Sequence, residues 1–341
     1  MTPLEPFSRL YGKAVTLRAG WYVSGRLESH ALPRPSISVG NLTFGGTGKT
    51  PFTEFLARRF RFEGRSPAVL SRGYGRRSRG LVVVSTGEGP LVGPDDGGDE
   101  PVALARALPG VIVVVAERRA EAARRAADLG ADLLLLDDGF QHLAVRRDVN
   151  LLLLDARDPF GGGRLPPTGR LREPIEALRR ADAIIFTRVD RAAPPGEALE
   201  AIGRLHPEAP IFRARIRAAG LRDESGSPVE PAAIGHRRSV AVCGVATPSE
   251  FAASLAELGV SPEERLEFRD HQRYGPRPLA RIRETVDAAG ASFVLTTEKD
   301  AVKLSGLLPV PILTVRLSVE ITEPGFFPFV TARLAPRDPA P

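Results

Sequence analysis

The chain has 341 residues, 43% of them hydrophobic and 26% charged, with a formal net charge of +6. That is the make-up of a soluble globular protein with room for two domains, and no run approaches the ~18 apolar residues of a membrane-spanning helix. A single cysteine, Cys243, excludes an internal disulfide framework and a multi-cysteine metal site, and the N-terminus lacks the features of a signal peptide. Of 47 basic residues only four are lysines, at 13, 49, 299 and 303. The positive balance fits an anionic partner such as a nucleotide, a phospholipid surface or nucleic acid, and no recognition module for specific nucleic-acid binding is visible.

In chain order, the first pattern is a helical stripe of Phe7, Leu10, Ala14, Leu17 and Trp21, spaced by three and four. Tyr11 and Tyr22 flank it, with Arg9, Lys13 and Arg18 nearby, and Gly12 and Gly20 weaken the helix. Such a face suits a membrane interface. Packing against its own domain is the commoner fate, and the segment alone leaves both open.

The next pattern is an apolar run, residues 37–39, that empties into Gly45-Gly46-Thr47-Gly48-Lys49-Thr50, followed by a helical pattern over 52–60. This is the layout of a phosphate-binding loop. Small residues let backbone N–H groups converge on phosphate oxygens, and the helix N-terminus adds positive potential. Lys49 is placed to reach the outer phosphates and Thr50 to ligate Mg²⁺. Thr43 stands where the strict motif has its first glycine, and Gly45 and Gly46 offer the flexibility it removes.

Further strand-like runs at 68–70, 111–115, 133–136, 149–154 and 183–186 alternate with helical stretches such as 118–129, as in a parallel sheet with crossover helices. Four leucines leading into Asp137-Asp138 predict a buried strand delivering carboxylates to the sheet edge that carries the phosphate loop. The Asp99-Glu100-Pro101 turn offers an acid that serves either as a helix cap or in catalysis. Arginine loops follow at Arg72-Gly73-Tyr74 and Arg170-Leu171-Arg172-Glu173. Thr187-Arg188-Val189-Asp190 resembles a guanine-selecting loop with two residues changed. Residues 217–238, polar and rich in glycine and proline, read as a linker. A second alternation then runs through strand 239–245, helices 249–258 and 278–288, and strands 293–296 and 312–315. Asp270-His271 and Thr296-Thr297-Glu298-Lys299-Asp300 lie in this part, and the proline-rich end after Ala335 reads as frayed.

These readings give an α/β protein: a P-loop NTPase-like parallel sheet with helices on both faces, plus a smaller second α/β domain. The expected division is a 1–30 membrane-contact segment, a 31–216 nucleotide-binding kinase domain, a 217–238 linker and a 239–341 C-terminal domain.

In this order, several motifs resemble the tetraacyldisaccharide 4′-kinase family. They are Gly-Gly-Thr-Gly-Lys-Thr-Pro at 45–51, Ser-Arg-Gly-Tyr-Gly at 71–75, Gly-Asp-Glu-Pro at 98–101 and Asp-Asp-Gly-Phe-Gln-His at 137–142. Gly-Arg-Leu-Arg-Glu-Pro at 169–174, Asp-His at 270–271 and Thr-Thr-Glu-Lys-Asp-Ala-Val-Lys at 296–303 complete the set. Thr43 agrees with a family whose loop also lacks the first glycine. The resemblance implies transfer of the ATP γ-phosphoryl group to the 4′-hydroxyl of an acylated glucosamine disaccharide 1-phosphate. It further implies a peripheral enzyme, expected as a monomer, on the cytoplasmic face of a bacterial inner-membrane lipid surface.

By the same resemblance Asp99 is the base, His271 its partner and Lys49 the stabiliser of migrating charge. Thr50 with Asp137, Asp138 or Glu173 holds Mg²⁺. Asn41, Arg72, Tyr74, Arg118, Gln141 and His142 are candidates for the headgroup. The expected division puts Asp99 and His271 in different domains, so their dyad is expected to form only on closure around nucleotide. The competing readings are a GTP-hydrolysing metal-insertion chaperone and a membrane-surface ATPase switch.

Overall fold

The computed structural model describes residues 4–234 and 237–334. The end after Ala335 and Gly235 of the expected linker lie outside the described residues. Contacts divide the chain into one unit of Met1–Arg72, Val114–Ile216 and Val319–Pro341, and a second of Gly73–Val113 and Arg217–Ser318.

The first unit opens with α1 (Glu5–Val23), β1 (Ser36–Asn41), α2 (Lys49–Phe62) and β2 (Pro67–Ser71). The chain then passes through the second unit as β3 (Val82–Ser85), α3 (Pro94–Gly97) and α4 (Asp99–Ala107), and crosses back along β4 (Ile112–Val115). The first unit continues with α5 (Arg119–Asp128), β5 (Leu133–Asp137), β6 (Val149–Asp155), β7 (Ala183–Thr187) and α6 (Gly196–Leu205). Strand β8 (Ile211–Arg222) crosses into the second unit. There follow β9 (Pro228–Val229), α7 (Pro231–Ile234), β10 (Ser239–Cys243), α8 (Pro248–Glu257), β11 (Glu264–Glu267), α9 (Pro276–Ala289), β12 (Phe293–Thr297) and α10 (Glu298–Leu304). β13 (Ile312–Ile321) leads back to the first unit and α11 (Phe326–Leu334).

Within the first unit the parallel pairings run β8–β7–β6–β1–β5–β2. β5 lies between β1 and β2 and is buried on both faces, which is why it reads as an unbroken leucine run. Register sets Val39 beside Asp137, so the phosphate loop and the two aspartates leave neighbouring strands at the same sheet edge. Helix α2 follows from its sequence: Phe52, Leu56 and Phe60 recur every fourth residue and are buried. It ends where Gly64, at φ 83°, donates its N–H to the Arg61 carbonyl.

Two glycines let the β1 and β5 exits close on each other. A Cβ on Gly40 would lie 2.4 Å from the Phe140 Cβ and 2.7 Å from its backbone nitrogen, and one on Gly139 would lie 2.6 Å from the Ser38 hydroxyl. Gly40→Ala must therefore push backbone aside beneath the phosphate loop. Urea denaturation should show a loss of about 1–3 kcal/mol, and an unchanged midpoint would mean that this approach is not tight.

In the second unit β10 pairs in parallel with β11 and β12, and β12 with β13. The core divides between the two faces: Leu255, Phe293 and Leu295 on one, Ile282, Val286 and Val294 on the other. Two expectations need correction. The 217–238 stretch is not merely a linker, because β8 extends to Arg222 and forms a short antiparallel hairpin with β9. Residues 73–113, expected in the nucleotide-binding domain, group instead with the second unit, because α4 packs on α10.

Helix α1 forms with the expected stripe, but the stripe faces outward. Phe7 is 62% exposed, Leu10 66% and Leu17 56%, while the buried positions are Ser8 and Gly12. The Ser8 hydroxyl donates to the Leu165 carbonyl at 3.0 Å, and a Cβ on Gly12 would meet Leu165 at 2.7 Å. The small, polar side of α1 packs on its own unit and leaves the apolar side exposed.

Candidate active site

The first unit builds its site around the loop between β1 and α2. Gly45 and Gly48 adopt left-handed φ of 118° and 85°, so side chains there would be strained. The loop is braced on two sides. Phe44 donates its N–H to the Arg170 carbonyl and Arg172 donates its own to Leu42, both at 2.7 Å, which zips the arginine loop to the entry of the phosphate loop. On the other side the Thr187 hydroxyl donates to the Thr47 carbonyl at 3.0 Å. Thr47 is itself buried, and its own hydroxyl has no hydrogen-bond partner among the described residues.

Lys49 and Thr50 then open α2 facing the aspartates. The Lys49 Nζ lies 3.8 Å from Asp138 Oδ1, and Thr50 Oγ1 lies 3.4 Å from Asp137 Oδ2. Thr53 donates to the other Asp137 oxygen at 3.0 Å. Burial, with the neighbouring Asp138 charge, pushes the Asp137 carboxyl above its ordinary range. Asp138 moves the other way: burial opposes its ionisation, but Lys49 and Arg172 hold its carboxyl below the usual range. Arg172 donates to both Asp138 oxygens at 2.8 Å and stacks over the Phe44 ring. Asp138 also sits at φ 51°, in the left-handed region that aspartate tolerates better than most residues.

A buried carboxylate raised by an acidic neighbour, with a hydroxyl beside it, is a donor set suited to a hard divalent cation. Asp137 and Thr50 therefore fit Mg²⁺. Glu173 does not join them, a correction to its expected role. It is buried with both oxygens accepting from Arg180, at 2.8 and 2.7 Å, so an arginine already neutralises it.

The headgroup candidates are sorted by what they touch. Asn41 is fully buried and donates to the Thr43 carbonyl, so its side chain braces the loop and is not presented to a ligand. Gln141 donates to the Asn41 carbonyl at 2.9 Å and lies 3.5 Å from Arg172. Burial and the surrounding arginines lower His142 to about 4, so it is neutral near pH 7. Arg72 and Tyr74 are exposed. Arg118 is exposed and pairs with Glu121, and it is the next residue, Arg119, that is buried and donates toward the Asp137 carbonyl. Sequence reasoning missed Arg119. Its only local signal was its place in the first turn of α5 after a buried strand.

The second unit holds the other cluster. His271 Nδ1 lies 3.1 and 3.0 Å from the two Asp99 oxygens, a contact across 172 residues. Both residues belong to this unit, so the expected formation of the dyad on closure between domains is corrected: the pair is already made within one unit. Lys303, on α10, reaches Asp99 Oδ2 at 3.2 Å and Asp300 Oδ1 at 2.9 Å. Lys299 pairs with Asp270, and Tyr74 lies against the His271 ring at 4.7 Å between centroids. Burial would raise the Asp99 carboxyl, but the hydrogen bond and charge of His271, with Lys303 behind, hold it below its usual range. His271 is raised in turn, burial being outweighed by Asp99. His271 also sits at φ 55°. Lys303 and Asp300 were legible as charged residues after a strand, but nothing local pointed them at Asp99.

A parallel sheet whose lysine-tipped phosphate loop faces two aspartates at the same edge defines a P-loop phosphotransferase. The profile of the Tetraacyldisaccharide-1-P 4′-kinase family matches residues 1–335. The tetraacyldisaccharide 4′-kinase of Syntrophotalea carbinolica is 41% identical over 94% of this chain and 88% of its own. That of Geobacter metallireducens is 43% identical over 87% of each. The crystal structure of LpxK from Aquifex aeolicus in complex with ATP superposes with a TM-score of 0.78 at 32% identity, covering 97% of this chain and 98% of that one. The chain belongs to the tetraacyldisaccharide 4′-kinase family.

Proposed function

We propose that this protein transfers the γ-phosphoryl group of ATP to the 4′-hydroxyl of a tetraacylated glucosamine disaccharide 1-phosphate. The observation that carries the reading is the facing of Lys49 and Thr50, at the start of α2, by Asp138 and Asp137 at the end of the neighbouring strand pair. In this reading the Gly45–Thr50 backbone holds the β- and γ-phosphates, and Lys49 offsets charge on the migrating group. Thr50 and Asp137 hold Mg²⁺, which when bound neutralises phosphate charge. Arg172 keeps Asp138 ionised beside Lys49. Asp99 accepts the proton of the attacking hydroxyl late in the transfer, and His271 and Lys303 keep it ionised until then. Gln141, neutral His142, Arg72, Tyr74 and Arg118 are the proposed contacts to the sugar–phosphate headgroup.

The outward stripe of α1 supports a peripheral position on the cytoplasmic face of the inner membrane. No helix among the described residues is long and apolar enough to cross a membrane. We take the acting form to be a monomer.

The GTPase reading loses its motif, because Thr187 is tied to the phosphate loop and the Arg188 guanidinium is buried against Asp155 at 2.8 Å. Labelled ATP or GTP offered with magnesium and the acylated disaccharide in detergent micelles tests the assignment. Label on the 4′ position from ATP is expected. Acceptor-independent hydrolysis alone, or a preference for GTP, would overturn it.

The Asp99–His271 pair also sets a pH dependence. Asp99 lies below its unfolded value, so its contribution to stability is present above about pH 3.8 and lost as pH falls through its folded pKa. His271 lies above its unfolded value, so its contribution is present below about pH 6.5 and lost as pH rises through its folded pKa. Without His271, only Lys303 and Lys299 are left to oppose the effect of burial on Asp99. The acidic limb of kcat/KM should therefore move to higher pH in His271→Gln. A superimposable profile would show that the histidine does not tune the base.

A further inference from the structure

An open cavity of about 320 Å³ in the first unit lies away from the phosphate loop, under the C-terminal end of α1. Ala19, Tyr22 and Val23 of α1 form one wall, and Arg146, Arg147, Asn150 and Asp182 lie among the residues facing them. Asn150 is near the start of β6, while the phosphate loop leaves the far end of the neighbouring β1. The seven residues of β6 span roughly 20 Å at 3.3 Å each. A single disaccharide headgroup held at the loop does not fill both places.

The cavity is polar in a specific way. Arg147 spends one guanidinium nitrogen, Nη1, on the carbonyls of His142 and Val145, at 2.9 and 3.0 Å, which fixes its plane. Burial and the nearby Arg180 charge draw its pKa down to about 10, so it remains a cation at neutral pH. Arg146, Arg147 and Arg180 against Asp182 leave the lining net positive, even with Arg180 neutralised by Glu173. Asn150 is only 3% exposed. Its Nδ2 donates to the Arg180 carbonyl at 2.8 Å, while its Oδ1 has no hydrogen-bond partner among the described residues. An occupant matched to this lining presents an anionic group to the arginines and a hydroxyl donor to Asn150 and Asp182. At about 320 Å³ the cavity has room for a small polar headgroup. Trp21 and Val23, 38% and 86% exposed, continue the apolar stripe of α1 to the rim, where acyl chains would lie.

We infer that this cavity binds the phosphodiester headgroup of an anionic, hydroxyl-bearing membrane lipid such as phosphatidylglycerol, clamping the far end of α1 to the bilayer at a site separate from the acceptor's. The inference rests on the membrane-facing reading of α1 and not on the identity of the phosphoryl acceptor.

Sedimentation of the full chain with vesicles of phosphatidylcholine, alone or with added phosphatidylglycerol, measures the headgroup preference. The wild type should prefer the glycerol lipid by about tenfold or more, as expected for charge-assisted hydrogen bonds. Arg147→Lys keeps the charge but not the planar fork, and Ala19→Phe fills the cavity without touching either. Both should remove most of the preference. Arg26→Gln lowers the charge on an exposed residue outside the cavity and should leave most of it. Soluble glycerophosphoglycerol at millimolar concentration should compete only weakly, because it lacks the chains that reach the stripe. Equal competition by the soluble headgroup would overturn the membrane source. A wild type without preference would overturn the site, as would a preference that falls with Arg26→Gln and survives both cavity variants. A raised KM for the disaccharide in phospholipid-free micelles with Arg147→Lys would assign the cavity to the acceptor and overturn its separateness. Loss of kinase activity in the wild type would sink the proposed reaction while leaving vesicle binding intact.

Discussion

Lys49→Met should lower kcat by about 10²–10³-fold, the usual effect of removing one preorganised charge from a site where negative charge migrates. Methionine keeps most of the apolar stem and deletes only the ammonium, so packing at the start of α2 should survive. The lysine is mostly buried, 3.8 Å from Asp138, and therefore poorly screened by water or salt. In a loose phosphoryl transition state the charge lies on the peripheral oxygens that such a lysine reaches, so kcat and kcat/KM should fall together. Asp138 loses a cation that favours its ionised form and should titrate higher, with Arg172 still holding it. Single-turnover assays at saturating ATP, with a melting curve to confirm folding, measure the effect. A fall of less than about threefold would remove Lys49 from the transition state.

The second large effect is expected at Asp99. Asp99→Asn preserves shape but cannot take a proton, and loss of a general base typically costs about 10²–10⁴-fold. The pair with His271 is already formed within one unit, so each variant should lose much of the same interaction. The Asp99→Asn/His271→Ala double variant should then lose much less than the product of the single losses. Lys303→Met provides a distinct control. It removes a positioning cation from Asp99 and leaves the fully buried Asp300 with the Gly244 amide and the Thr297 hydroxyl. Its rate should recover as pH rises, because the base is intact but harder to ionise. Multiplicative losses in the double variant, or no pH recovery with Lys303→Met, would dissolve the network as a functional unit.

Much of this molecule is legible locally. The glycine loop, the leucine run into Asp137 and Asp138, and the alternation of strands with helices follow from short-range rules. Backbone sterics select glycine at left-handed φ, and a strand covered on both faces carries no polar residues to break its run. These rules set the P-loop fold and placed Lys49, Thr50 and both aspartates at one sheet edge. Where side chains point, and what neutralises them, depended on the folded arrangement, at short range as well as long. Glu173 is taken by Arg180, Arg119 and not Arg118 turns inward, and Asp99 gathers His271 and Lys303 from 172 and 204 residues away. The stripe on α1 shows the same divide: periodicity marks an apolar face, but only packing reveals that Ser8 and Gly12 hold the helix from behind and leave that face uncovered. A charge or an apolar face carries no record in its own neighbourhood of the partner that will meet it, since burial and Coulomb energy are set by distance in space.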